Sequence, residues 1–311
     1  MSNNCKIVMY HYVRPIKNSK YPKIKGLELD AFERQISYFK KNFHILSATE
    51  FIDILVNNQE IKKDSILLTF DDGLKDHFSY TYPILKKNKI NGLFFISSVP
   101  ILEKKILDVH KIHFILEKNK DHKEIHNELI QQINENKQEY NLLSSEKYES
   151  KLSKPNRFDS GETIFIKRLL QRDLPLKLRE SIVELLFEKY VTPDLNSFRN
   201  NLYLSEDEIN EMAEGSMYFG SHGHSHEWYT ELSNEQLKKE LKISYNFTSK
   251  INISEKRIIF CYPFGNYNDS VIKEVKQAQY VAGLTTDVGD AKIDNNNLFK
   301  IKRYDTNDFP Q

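Results

Sequence analysis

The stretch Ser65 to Gly73, reading SILLTFDDG, decides the fold. An apolar run, Ile66 to Leu68, passes through Thr69 and Phe70 into two adjacent carboxylates, Asp71 and Asp72, and then Gly73. A short apolar run closed by glycine reads as a buried strand. Carboxylates at the C-terminal end of such a strand stand where α/β sheets place their chemistry. Successive strand residues point to opposite faces, so the two aspartates can take different roles, one binding a metal and the other moving protons. Asp-Asp-Gly also opens turns. The downstream stretches weigh between the two readings.

Upstream, Lys6 to Val13 reads as a first buried strand with His11 near its end. A hydrogen-bonded core histidine is the plain alternative to a catalytic one there. The segment 14–28 is polar, carries Pro15 and Pro22, and reads as a long loop. Leu29 to Asn42 follows as a helix, with Asp30 as its expected N-cap and Phe32, Ile36 and Phe39 as its apolar stripe. Phe43 to Leu46 is a short strand candidate. Ser47 and Glu50 then form a capping-box signature for a helix over 48–57.

Downstream, Tyr80 to Asn88 reads as a helix and Gly92 to Ser97 as another buried strand. Such alternation predicts right-handed crossovers and a mainly parallel sheet. From 102 to 202 the pattern changes to Lys/Glu-rich helical periodicity without a convincing strand. The expected organisation is therefore an α/β body over 1–101 and 203–311, with a helical insertion over 102–202. Within the insertion His110 and His113 share a helical face. Either that face is solvated or it overhangs the active site and touches substrate. Strand–helix alternation resumes at Met217 to His222 and ends with a strand over Phe299 to Tyr304.

Composition narrows the function classes. A net charge of +1 over 311 residues, without a long basic block, argues against a nucleic-acid partner. No stretch approaches the roughly 20 apolar residues of a membrane span. The opening MSNNCKIVMYHYV lacks the basic and apolar regions of a signal peptide. Cys5 and Cys261 lie far apart without metal-type spacing and read as reduced thiols. A cytoplasmic location is the resulting expectation. Oligomeric state is not legible.

The second decisive stretch is GSHGHSHEW, Gly220 to Trp228. Imidazole nitrogen is a first-rank ligand for zinc and similar divalent ions. His222 and His226 converge on one ion if the segment is helical; in a loop, His224 could replace one of them. Two histidines and one carboxylate leave positions open for water and substrate, as a catalytic site requires. The same ligands serve non-haem iron oxygenases, but a carboxylate far upstream beside a second aspartate suits hydrolysis better. The third stretch is FCYPFGNYN, Phe260 to Asn268, a strand running into a rigid turn that can present backbone N–H groups and aromatic faces.

Taken in this order, TFDDG, His222 to His226 and Tyr262-Pro263-Phe264-Gly265 resemble the three motifs of the polysaccharide deacetylase family, the NodB homology domain of carbohydrate esterase family 4. The resemblance covers about 1–100 and 203–305. It implies a distorted (β/α) barrel of seven or eight mainly parallel strands with its site at the strands' C-terminal ends. Asp72, His222 and His226 would be metal ligands, Asp71 the general base, and the Phe264 N–H an oxyanion donor. Tyr262, Pro263, Trp228 and His110 are expected to line the substrate. The cofactor would be one divalent ion, zinc first, with nickel, cobalt or iron also fitting the ligands. The substrate would be the N-acetyl group of an amino sugar, in a surface glycan or its intracellular precursor. A deformylase or amidase on the same fold, or a non-catalytic carbohydrate-binding homologue, is the alternative.

Three departures stand out. Gly223 occupies a position where the family usually has Ser or Thr. The arginine that often begins the third motif is replaced by Cys261, with Arg303 as the candidate substitute. No histidine follows His226, so the family's late acid is missing; His11, His110 or His113 is the candidate to serve instead.

Overall fold

A computed structural model of the chain describes residues 4–57, 59–61, 64–119, 122–155, 159–252, 257–294 and 296–311. Its strands are β1 (Asn4–Tyr10), β2 (Val13–Arg14), β3 (Leu27–Glu28), β4 (His44–Leu46), β5 (Ser65–Phe70) and β6 (Leu93–Ile96). They continue with β7 (Tyr218–Ser221), β8 (Ile259–Cys261), β9 (Ala282–Leu284), β10 (Ala291–Lys292) and β11 (Tyr304–Asp305). The first α-helices are α1 (Leu29–Asn42), α2 (Ala48–Asn57), α3 (Tyr82–Asn88) and α4 (Val99–Leu102). Between β6 and β7 come α5 (Asp108–Lys118), α6 (Lys123–Asn136), α7 (Ser145–Leu152), α8 (Gly161–Arg168), α9 (Leu176–Tyr190), α10 (Leu195–Leu202) and α11 (Glu206–Glu214). The last are α12 (Asn234–Ile251) and α13 (Asp269–Gln277). Among the described residues no helix is long and apolar enough to cross a membrane.

The chain divides into two compact units, one of Met1–Ser19, Lys25–Lys105 and Arg199–Gln311, the other of Lys20–Ile24 and Ile106–Phe198. The first unit is built on a curled sheet in the order β1-β5-β6-β7-β8-β9, all parallel. The segment ending in β11 joins the two ends of that row. Ile301 bridges Leu284 of β9, and Tyr304 and Asp305 pair with Val8 and Met9 of β1, both in parallel. This is the (β/α) barrel that the sequence predicts. The last strand is shorter than the expected Phe299 to Tyr304 because it changes partners midway.

Residue parity builds the layers. Ile7, Leu67, Leu93, Phe95, Ile259, Cys261, Ala282, Leu284 and Ile301 belong to one buried cluster, the barrel interior. Their neighbours Val8, Tyr10, Ile66, Leu68, Phe70, Phe94 and Phe219 form the layer under α1 and α3. Strands buried on both faces need continuous apolar runs, which is why SILLTF lacks alternation. On that second face Tyr10, Phe70 and Phe94 sit at paired positions and stack at 5.0 and 4.6 Å. Such cross-strand aromatic pairs stabilise and fix register.

Two local expectations need adjustment. Asp30 lies in the first turn of α1; the N-cap is Glu28, without a side-chain cap bond. The long loop after β1 contains β2 and β3, which pair with each other. The Ser47–Glu50 capping box forms as read, with Ser47 N–H to Glu50 Oε2 at 2.8 Å and Glu50 N–H to Ser47 Oγ at 3.1 Å.

The second unit is helical. Its interior includes the edge-on aromatic contacts Tyr21–Phe114 at 4.7 Å, Phe114–Phe198 at 4.8 Å and Phe187–Phe198 at 5.0 Å.

Candidate active site

Parity also dictates what the barrel's C-terminal end contains. Leu67 faces inward, so Thr69 and Asp71 do too; Ile259 and Ile301 likewise bring Cys261 and Arg303 inward. These four side chains meet. Arg303 Nη1 donates to Asp71 Oδ1 and Nη2 to Asp71 Oδ2, each at 2.8 Å. The same guanidinium donates to Thr69 Oγ1 at 3.2 Å, Cys261 Sγ at 3.1 Å and the Thr285 carbonyl at 2.9 Å. Arg303 and Asp71 are each 1% exposed, so the pair is buried. Burial pushes the Asp71 carboxyl up, but Arg303, then His222, pull it down further, and its pKa ends below the ordinary value. Burial raises the Cys261 thiol, which keeps it neutral. Arg303 is therefore the arginine that pairs with Asp71, with Cys261 beside it.

Asp72 breaks the parity. Its φ of +79° and that of Gly73, +64°, turn the chain at the strand end. Asp72 Oδ1 lies 3.4 Å from His222 Nε2 and 3.5 Å from His226 Nε2. Those separations are long for N–H···O bonds. They match two donors each about 2.0–2.1 Å from one tetrahedral ion, which lie about 3.4 Å apart. All three residues are buried and their candidate ligand atoms lie within 4.8 Å of one another. His222 Nδ1 sits 2.9 Å from the Cys261 carbonyl, so it carries the proton and leaves Nε2 free to ligate. The residues fit a divalent metal.

The histidine segment is a loop, not a helix, and the i, i+4 pair converges through backbone turns. Gly223 has φ +76° and His226 φ +58°. A Cβ on Gly223 would lie 2.3 Å from the Tyr229 hydroxyl, which explains glycine where Ser or Thr is usual. His224 is not a ligand. Its ring is held by Ser98 Oγ at 2.8 Å and Glu103 Oε1 at 3.0 Å.

The remaining expected residues divide. His11 Nε2 stands 3.8 Å from Asp71 Oδ2, with the side chain 40% exposed, so it is at the site and open to solvent. Phe264, at φ +57°, packs edge-on against His226 at 4.5 Å and stacks on Trp228 at 4.8 Å. Tyr262 and Pro263 depart from the expected substrate role. Tyr262 is fully buried with its hydroxyl on the Phe299 carbonyl at 3.1 Å, and Pro263 is buried against the Gly223 turn. His110 is fully buried in α5 of the second unit, its ring 5.9 Å from His113, and offers no exposed surface.

Two contributors escape the sequence reading. Thr69 lies inside the first motif and its inward parity was the available signal. His77, fully buried with Nε2 donating to the His11 carbonyl at 3.1 Å, carries no motif at all.

Fold and site together define an α/β barrel with a candidate mononuclear metal centre beside a clamped second aspartate. Residues 58–142 and 185–283, more than half of the chain, match the polysaccharide deacetylase family model, and the chain belongs to that family. The family is generally metal-dependent and acts on acetylated sugars. A 91-residue stretch is 28% identical to YxkH of Bacillus subtilis (strain 168), covering 29% of this chain and 30% of that protein. The match thus spans under a third of that relative's length. Among solved structures, the deacetylase PplD of Streptococcus pyogenes gives a TM-score of 0.61 at 18% identity, covering 98% of this chain and 93% of that one. A de-N-acetylase of Aggregatibacter actinomycetemcomitans gives 0.55 at 15% identity, covering 97% and 95%. These structural likenesses are likenesses of fold.

Proposed function

We propose that the protein is a metal-dependent hydrolase that removes N-acetyl groups from an amino sugar of a cell-surface glycan or its precursor. The observation that carries this reading is the doubly bonded Arg303–Asp71 pair beside the Asp72, His222 and His226 cluster. Asp72, His222 and His226 would hold one divalent ion, zinc by choice of ligands, supplying Lewis-acid polarisation and a more acidic water. Asp71, kept ionised by Arg303, takes the proton of the attacking water. Its two oxygens are fixed by the guanidinium, so the base cannot rotate away from the nucleophile. The Phe264 N–H donates to the oxyanion as the carbonyl carbon becomes tetrahedral. His11 protonates the nitrogen as the C–N bond breaks, giving acetate and a free amine. Trp228, stacked on Phe264, offers an apolar face to the sugar ring. The expected cytoplasmic location belongs to the same reading and is checked by fractionating cells that make the protein.

The test is acetate release from N-acetylated glycans by zinc-loaded protein. Asp71→Asn is expected to lose about 10²–10⁴-fold in turnover while still binding zinc. Undiminished turnover in that variant removes Asp71 as base. Absence of release from every N-acetyl sugar tried, with zinc bound, favours the carbohydrate-binding alternative.

A further inference from the structure

One carboxylate outside the cluster is aimed at the loop between the two histidine ligands. Glu240, on α12, accepts at Oε2 from the backbone N–H of His224 at 3.2 Å and of Ser225 at 2.9 Å. Its Oε1 accepts from the Ser225 hydroxyl at 2.7 Å. The opposite side of the loop is held as well. Ser98 N–H donates to the Gly223 carbonyl at 3.2 Å and Val99 N–H to the His224 carbonyl at 3.0 Å. Ser97 Oγ donates to the His222 carbonyl at 2.9 Å.

The loop therefore hangs between α12 and the turn from β6 into α4. It needs that hold, because His226 at φ +58° sits where a non-glycine residue stays only when its surroundings fix it. Hydrogen bonds to an ionised acceptor are about twice as strong as neutral ones. Glu240 supplies the loop with two such bonds on consecutive N–H groups and a third on a hydroxyl, all between the two ligands.

We propose that Glu240 is a positioning residue for the metal site, fixing the His224–Ser225 turn and through it the 4.8 Å spacing of the His222 and His226 rings. This rests on the metal reading above. Partners that orient ligands are typically worth about 10–100-fold in metal affinity.

The experiment titrates the full chain with zinc against a chromophoric chelator, wild type beside Glu240→Ala and Glu240→Asp. The absorption spectrum of each cobalt form and the melting of each metal-free form are recorded alongside. The expected result is a loss of zinc affinity of about 10-fold or more for Glu240→Ala. A smaller loss is expected for Glu240→Asp, whose carboxylate is one methylene short. Both cobalt spectra should differ from wild type. A folded variant that binds zinc as tightly as wild type, with the same cobalt spectrum, overturns the role of Glu240 and leaves the metal site standing. Should Glu240→Ala not fold, Glu240→Asp decides by the same readings. A wild type that binds neither ion overturns the metal reading itself, and the role of Glu240 with it.

Discussion

Arg303 shows how strongly a single side chain can define this site. Its charge is matched by one carboxylate, and two parallel 2.8 Å bonds fix the plane of that carboxylate. Lysine would keep the charge but give only a point contact. Arg303→Lys is expected to lower kcat by roughly 10²-fold, the lower end of the contribution of a positioned base, with zinc affinity unchanged. Steady-state kinetics beside a zinc titration check the split. Arg303→Ala leaves a buried carboxylate unpaired and should cost about 3–5 kcal/mol of stability, seen in urea unfolding. His77 carries a different consequence. Burial lowers its pKa from 6.5 to about 4. Between those values the unfolded chain binds a proton that the folded chain refuses, so stability falls as pH drops through that window. The loss at its lower end is on the order of 3 kcal/mol. His77→Phe, which keeps an aromatic ring beside Phe70 and Phe94, should flatten that dependence in urea midpoints taken at pH 7 and pH 5.

Among elements, the strands were the most legible because burial on both faces writes itself as continuous apolar runs. The first two motifs mark Asp71, Asp72, His222 and His226 for the same reason: each motif follows on such a run. Arg303 was readable only as a candidate, since nothing local distinguishes an inward arginine from an outward one. Its inward face follows once Ile301 is known to point into the interior. The sequence leaves the histidine segment open between helix and loop, because spacing alone does not reveal that Gly223 and His226 are left-handed. Helix α11 carries a complete capping box between Ser205 and Glu208, a signal written in the sequence as Ser-x-x-Glu. Tyr262 follows β8 where a ligand-facing aromatic is expected, whereas its packing with Phe260 and Val271 and its bond to the Phe299 carbonyl hold it in the outer layer. Close strand approach yields a prediction at this level. A Cβ on Gly220 of β7 would stand 2.4 Å from the Phe95 ring and 2.9 Å from the Ile259 carbonyl. Gly220→Ala should cost about 1–3 kcal/mol through overpacking, read as a fall in melting temperature.

For the molecule as a whole, a metal bound only by the folded state must stabilise it by mass action. Zinc at 100 times its Kd should add about 2.7 kcal/mol, and a chelator should remove that increment. His222→Ala should melt at the same temperature with and without zinc. Barrel closure has a further consequence, one of timing. Asp71 and its arginine are 232 positions apart in the chain. The segment that carries Arg303 is also the one that joins β9 to β1. As the polypeptide leaves the ribosome, the sheet must wait through the synthesis of those 232 residues with both edges open. Through that interval Asp71 has no guanidinium to meet, and unpaired edges invite association with other chains. Chaperone demand during synthesis should therefore be set by how fast the segment 298–305 emerges, and slow codons just upstream of it should lower the yield of soluble protein.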